Sequence, residues 1–126
     1  MSRFVGKAFG RGRLKAGEMN GTETRFAQHL EKLKRSGAIN EYWFELLTVK
    51  IATDRCSYTP DFLVRFPDGE LRFYEVKGSP KIYQDDAKVK VKVTRDTCPI
   101  PVTLVFPVPK KAGGGWRFED AKNEKD

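Results

Sequence analysis

A chain of 126 residues and 14.4 kDa has room for one hydrophobic core and none for a second catalytic domain. Its 24 Lys and Arg against 17 Asp and Glu leave a net charge of +7, which favours a polyanionic partner. No apolar run approaches the roughly 20 residues of a membrane span and the N-terminus has no short apolar leader core, so a soluble cytoplasmic protein without membrane contact is expected.

Residues 1–17 carry Arg3, Lys7, Arg11, Arg13 and Lys15 with no acid, interleaved with glycines. This is the composition of a basic flexible arm. It either keeps the chain in solution or lies along a phosphate backbone, gaining affinity through counterion release. Asn20-Gly21-Thr22-Glu23 has the chemistry of a helix start, and Phe26, Ala27, Leu30 and Leu33 follow at helical spacing until Ser36-Gly37 stops them. Glu23 lies in line with the inward stripe, either as a helix-dipole residue or as a functional acid at the rim of the core.

Ile39 to Ile51, rich in aromatic and β-branched residues, predicts one or two strands or a bent strand. The next segment is a hairpin: Asp61 to Phe66, a turn at Pro67-Asp68-Gly69, then Glu70 to Val76. A three-residue loop with Gly69 left-handed pairs Phe66 with Glu70 and, counting outward, Asp61 with Glu75. Ser79-Pro80 caps a second predicted helix from Lys81 to about Lys92, although the alternation Lys88-Val89-Lys90-Val91-Lys92-Val93 competes as a strand signal. Ile100 to Phe106 is read as the final strand. Residues 109–126 then form a charged tail whose Trp116-Arg117-Phe118 patch either docks back or binds a partner.

Cys56 and Cys98 make no zinc signature, and the single histidine, His29, is expected to pack or to face solvent on its helix, which argues against a histidine-based nuclease centre. The chemistry gathers elsewhere. Asp61 and Glu75 on adjacent strands can share a hard cation such as Mg²⁺, with the Val76 backbone carbonyl as a further ligand. Lys77 points to the same side as Glu75 because strand side chains alternate, and its ammonium can orient an attacking water or stabilise charge on a phosphoryl transition state. Glu23 supplies another acid if its helix packs beside the hairpin. Taken singly, Glu75 and Lys77 would be a solvated pair on a strand; the hairpin register that brings Asp61 to them argues otherwise. Asp68, at the hairpin tip, is structural.

Glu23, Pro60-Asp61 and Glu75-Val76-Lys77 resemble the signature of the PD-(D/E)XK nucleases: an acid on the first helix, then Pro-Asp, then Glu-x-Lys. Tyr58-Thr59-Pro60-Asp61-Phe62-Leu63 and Glu75-Val76-Lys77-Gly78, behind a basic leader, are most similar to phage-type endonuclease I resolvases of Holliday junctions. The resemblance covers about residues 5 to 106. It implies an α/β restriction-endonuclease-like αβββαβ core over residues 18–108, a mixed sheet flanked by helices. It also implies a Mg²⁺-dependent endonuclease (Mn²⁺ substituting) with Glu23, Asp61, Glu75 and Lys77 catalytic, and a homodimer acting on branched DNA. Lys88, Lys90 and Lys92 on the second helix would then lie near the DNA. A sequence-specific or nicking endonuclease on linear duplex, and a non-catalytic DNA-binding module, are the competing readings.

Overall fold

The computed structural model describes residues 17–50, 57–78, 91–96 and 98–120. The basic-arm residues Arg3, Lys7, Arg11, Arg13 and Lys15, together with Cys56, Lys88 and Lys90, lie outside the described residues, as does most of the second predicted helix.

Helix α1 spans Gly21–Ser36 and begins where the sequence places it. Asn20 Oδ1 accepts the Glu23 N–H at 2.8 Å and Glu23 Oε1 accepts the Asn20 N–H at 3.0 Å, a reciprocal capping box that satisfies two donors the helix cannot use. Gly37, at φ 85°, closes the other end by donating to the Leu33 and Lys34 carbonyls. The face between carries Phe26, Ala27 and Leu30, all buried.

Among the described residues seven strands follow: β1 (Glu41–Phe44), β2 (Val49–Lys50), β3 (Ser57–Tyr58), β4 (Phe62–Arg65), β5 (Leu71–Val76), β6 (Val102–Pro107) and β7 (Trp116–Asp120). Five form one mixed sheet in the order β1-β4-β5-β6-β7, while β2 and β3 pair separately. The hairpin register is the one its turn dictates. Phe62 faces Tyr74, Arg65 faces Leu71, and the Phe66 N–H donates to the Glu70 carbonyl at 2.8 Å, with Gly69 at φ 92°. Asp68 Oδ1 accepts the Glu70 N–H and so serves the turn. Strand β6 runs parallel to β5, which requires a crossover, and residues 91–96 within it are helical despite the alternating pattern.

Alternation along the strands divides the core. Phe62, Val64, Val76 and Val105 meet Phe26, Ala27 and Leu30 of α1 on one face. Leu63, Phe73, Val102, Leu104 and Phe106 meet Tyr58 and Val91 on the other. The protein is therefore an α/β fold with helical residues on both faces of a five-stranded mixed sheet. No helix among the described residues is long and apolar enough to cross a membrane.

Strand β6 is not the last strand, as the sequence suggested. After a 3₁₀ turn at Lys110–Ala112, Gly113, Gly114 and Gly115 all take positive φ, and the chain folds back so that Phe118 pairs with Val105. Trp116 and Phe118 then point to the α1 face and Arg117 and Glu119 away from it. The segment's charge had hidden a period-two pattern.

Phe26 is fully buried against Phe62, Tyr74 and Trp116, with ring centroids 5.5, 5.6 and 5.1 Å away. Phe26→Ala is expected to destabilise the fold by about 3–5 kcal/mol in denaturant titrations. A loss below about 1 kcal/mol would contradict the seating of α1 on the sheet.

Candidate active site

Strands β4 and β5 stop pairing at a proline. Hydrogen-bonded pairs in their ladder fall at every second position outward from Phe66 and Glu70, so the next after Phe62 and Tyr74 would be Pro60 and Val76. Pro60 has no N–H to give. With only one of that pair's two bonds possible the ladder ends, and the Val76 N–H donates to Asp61 Oδ2 at 2.8 Å, drawing that carboxyl into the gap between the strands. In an extended strand the N–H and C=O of one residue point the same way, so the Val76 carbonyl faces the same gap, opposite a residue that cannot donate to it.

Asp61 is 8% exposed and Glu75, its register partner, 7%. One Glu75 oxygen accepts a hydrogen bond from the buried Tyr58 hydroxyl, and the other lies 3.2 Å from Lys77 Nζ. Glu75 and Lys77 thus share a side of the strand, as their spacing predicts. The first turn of α1 brings Glu23 beside Asp61, so the capping residue and the rim acid are one and the same side chain. Burial, then the charges of Glu75 and Glu23, hold the Asp61 carboxyl well above the ordinary carboxylate range, against the opposing pull of the Val76 N–H and Lys77. Glu23 is raised by burial and by Glu45 and Glu75, against the lowering effects of the Asn20 N–H and Asp61.

The four residues expected to form the site are therefore brought together. Among the described residues no set of three His, Cys, Asp or Glu side chains is a ready-made cation cage. Glu23, Asp61 and Glu75 are neighbours that do not converge on one point. Their chemistry nonetheless suits a hard cation: carboxylate oxygens, a backbone carbonyl, and crowded acids of which Lys77 and the Val76 N–H offset only part of the charge. Lys92 lies on the helical residues 91–96, exposed to solvent.

Two neighbours escaped the sequence reading. Tyr58 sits inside the Tyr58 to Leu63 run, but its bond to Glu75 depends on β3 pairing with β2, where Val49 faces Tyr58. Glu45 follows Phe44, which pairs with Phe62, so the β1–β4 register carries it to Asp61 and its N–H donates to the Asp61 carbonyl at 2.8 Å. Its φ of 50° turns the chain there, and its Oε1 accepts the Gly17 N–H at 3.1 Å. The unassigned register of Ile39 to Ile51 concealed it. His29, expected to pack or to face solvent, lies half-buried beside Phe26 and Trp116, and burial lowers its pKa.

Comparison with protein families, with curated proteins and with solved structures finds no match to this chain.

Because folding raises the Asp61 and Glu23 carboxyls above their ordinary values of 3.8 and 4.5, the stabilisation this gives is present below those values. It is lost as pH rises through the raised folded pKa values. In EDTA, the melting temperature should fall from about pH 4.5 towards neutrality, and Asp61→Asn should flatten that fall. An equal decline in wild type and variant would show that the cluster does not set it.

Proposed function

We propose that this chain is a Mg²⁺-dependent DNA endonuclease with a PD-(D/E)XK-type site in a restriction-endonuclease-like core, cutting branched DNA such as a Holliday junction. The observation that carries the reading is the buried Asp61 carboxyl at the break between β4 and β5, with Glu75, Glu23 and Lys77 around it. An αβββαβ order is consistent with α1, the β1-β4-β5 meander, helical residues 91–96 and β6. The net charge of +7 suits a phosphate-rich partner.

Asp61, Glu75, the Val76 carbonyl and, from the helix side, Glu23 would hold Mg²⁺, with Mn²⁺ able to substitute. When bound, such an ion supplies Lewis-acid polarisation of the scissile phosphate and lowers the pKa of water. The protein's own residues do the rest. Tyr58 and Lys77 fix the two oxygens of Glu75, so that carboxylate is aimed before substrate arrives. Lys77, at the open end of β5, stabilises negative charge developing on the phosphate and directs the attacking water. The basic arm and the lysines at positions 88, 90 and 92 would follow the DNA backbone, giving affinity without reading bases. A bacterial cytoplasm, in a phage-infected or prophage-carrying cell, is the setting this reading implies, and two copies acting together would cut two strands.

The test compares a four-way junction, a flap and a linear duplex, each with Mg²⁺, Mn²⁺ or EDTA. Junction cleavage with either metal and none in EDTA is expected. Asp61→Ala and Glu75→Ala should lose at least about a thousandfold in rate, and Lys77→Ala about 100- to 1,000-fold with DNA binding retained. Normal turnover by Asp61→Ala would sink the assignment, and equal cutting of linear duplex at preferred sites would move it to a sequence-specific or nicking enzyme. Removing residues 2–15 should reduce the salt dependence of binding by about 0.9 in slope per lost phosphate contact. An unchanged slope would assign the arm to solubility.

A further inference from the structure

Strand β7 closes one side of the sheet, and no strand among the described residues pairs with its outer edge. The ladder parity shows which groups are left there. The Val108 N–H donates to the Gly115 carbonyl, so Arg117 and Glu119, at the same parity as Gly115, direct their backbone groups to β6. Trp116, Phe118 and Asp120 direct theirs outward. A sheet edge of this kind is a template for another strand, and natural proteins commonly blunt it or cover it.

The sequence of this edge is complementary to itself. Turned antiparallel about Phe118, Trp116-Arg117-Phe118-Glu119-Asp120 sets Arg117 opposite the partner's Glu119, and Glu119 opposite the partner's Arg117. Phe118 then faces the partner's Phe118. Trp116, Phe118 and Asp120 would each exchange backbone bonds with the other copy. Phe118 is 49% exposed although its ring lies 6.3 Å from Phe26 and 6.1 Å from Tyr74, so the core's aromatic cluster ends uncovered at this edge. Arg117 and Glu119 are themselves exposed and now pair within one strand at 2.7 Å. A second copy would let them pair between strands, where opposite charges stabilise a sheet.

We propose that β7 is a homodimer interface, pairing antiparallel with β7 of a second copy about Phe118 to make one continuous ten-stranded sheet. The register gives this dimer a particular form. Phe118 is level with Val105, and Val105 with Val76, so the two-fold axis stands at the height of the candidate site. Antiparallel joining of two identical edges keeps corresponding faces on the same side. The two Glu75 positions therefore open on one face, separated by five strand intervals, about 24 Å before sheet twist is counted. The interface rests on the edge strand alone; its use for cutting two DNA strands rests on the nuclease reading above.

Charge reversal tests it, using the full chain in sedimentation equilibrium. Arg117→Glu places acids opposite acids, Glu119→Arg places bases opposite bases, and each should weaken self-association by about tenfold or more. Mixed together, the two variants have complementary edges and should form a heterodimer as tight as the wild-type dimer. That rescue cannot come from a repaired internal pair, because each chain still carries two like charges. Circular dichroism of each variant confirms folding. A monomeric wild type, a dimer indifferent to both substitutions, or a mixture no tighter than its components would each overturn the proposal. Metal-dependent cleavage by the same proteins is read separately: a charge-sensitive dimer that cuts no DNA keeps the interface and removes the nuclease, and a cutting monomer does the reverse.

Discussion

The arrangement of the site follows from the end of the β4–β5 ladder at Pro60. Proline can make only one of the two bonds of the next pair, the strands stop pairing there, and a buried Val76 N–H left without an acceptor would cost about 1–3 kcal/mol. Asp61 removes that penalty by accepting the Val76 N–H with its side chain. The carboxyl is thereby fixed between the strands, within reach of Glu75 across the register and of Glu23 on α1. Proline followed by aspartate is thus one device here: the first residue stops the ladder and the second fills the break. The same break leaves the Val76 carbonyl facing a residue with no donor.

What the sequence makes legible is what short-range rules control. Gly69 and a three-residue loop determine the hairpin register, and that register alone brings Asp61 to Glu75. Asn20 and Glu23 mark the first residue of α1 through a capping box whose chemistry is local. Glu75 and Lys77 share a side because strands alternate. The contributions of Tyr58 and Glu45 depend on pairings between segments whose registers no turn residue announces, so composition could not supply them. The contact of Glu23 with Asp61 depends on how α1 lies across the sheet, which spacing along the chain does not encode.

Strand β7 is the larger omission, and its cause is instructive. Trp116 and Phe118 alternate with Arg117 and Glu119, but the run is short and follows three glycines, so it resembles a solvated tail. Its position comes from those glycines, whose positive φ values reverse the chain, and from Phe26, whose ring meets both Trp116 and Phe118. The aromatic side chains of the tail thus complete the packing around α1, and α1 carries Glu23. The end of the chain that looked least structured buttresses the helix that delivers an acid to the site.

A fold selected for stability alone would not keep this cluster. Asp61 and Glu75 are buried and Glu23 is partly so; burial first, and neighbouring acidic charge after it, holds the Asp61 carboxyl well above the usual carboxylate range and raises that of Glu23. Lys77 offsets part of that charge and the Val76 N–H part of the desolvation, yet among the described residues acids outnumber Lys77 at this centre, within a chain of net charge +7. Replacing such groups with apolar residues of similar volume is often neutral or stabilising in proteins. Their joint presence at a ladder break is therefore better explained by what the charge can hold than by what it contributes to folding. In the proposed function a divalent cation would relieve the repulsion among these acids, while the net positive charge would draw in the phosphates to be cut.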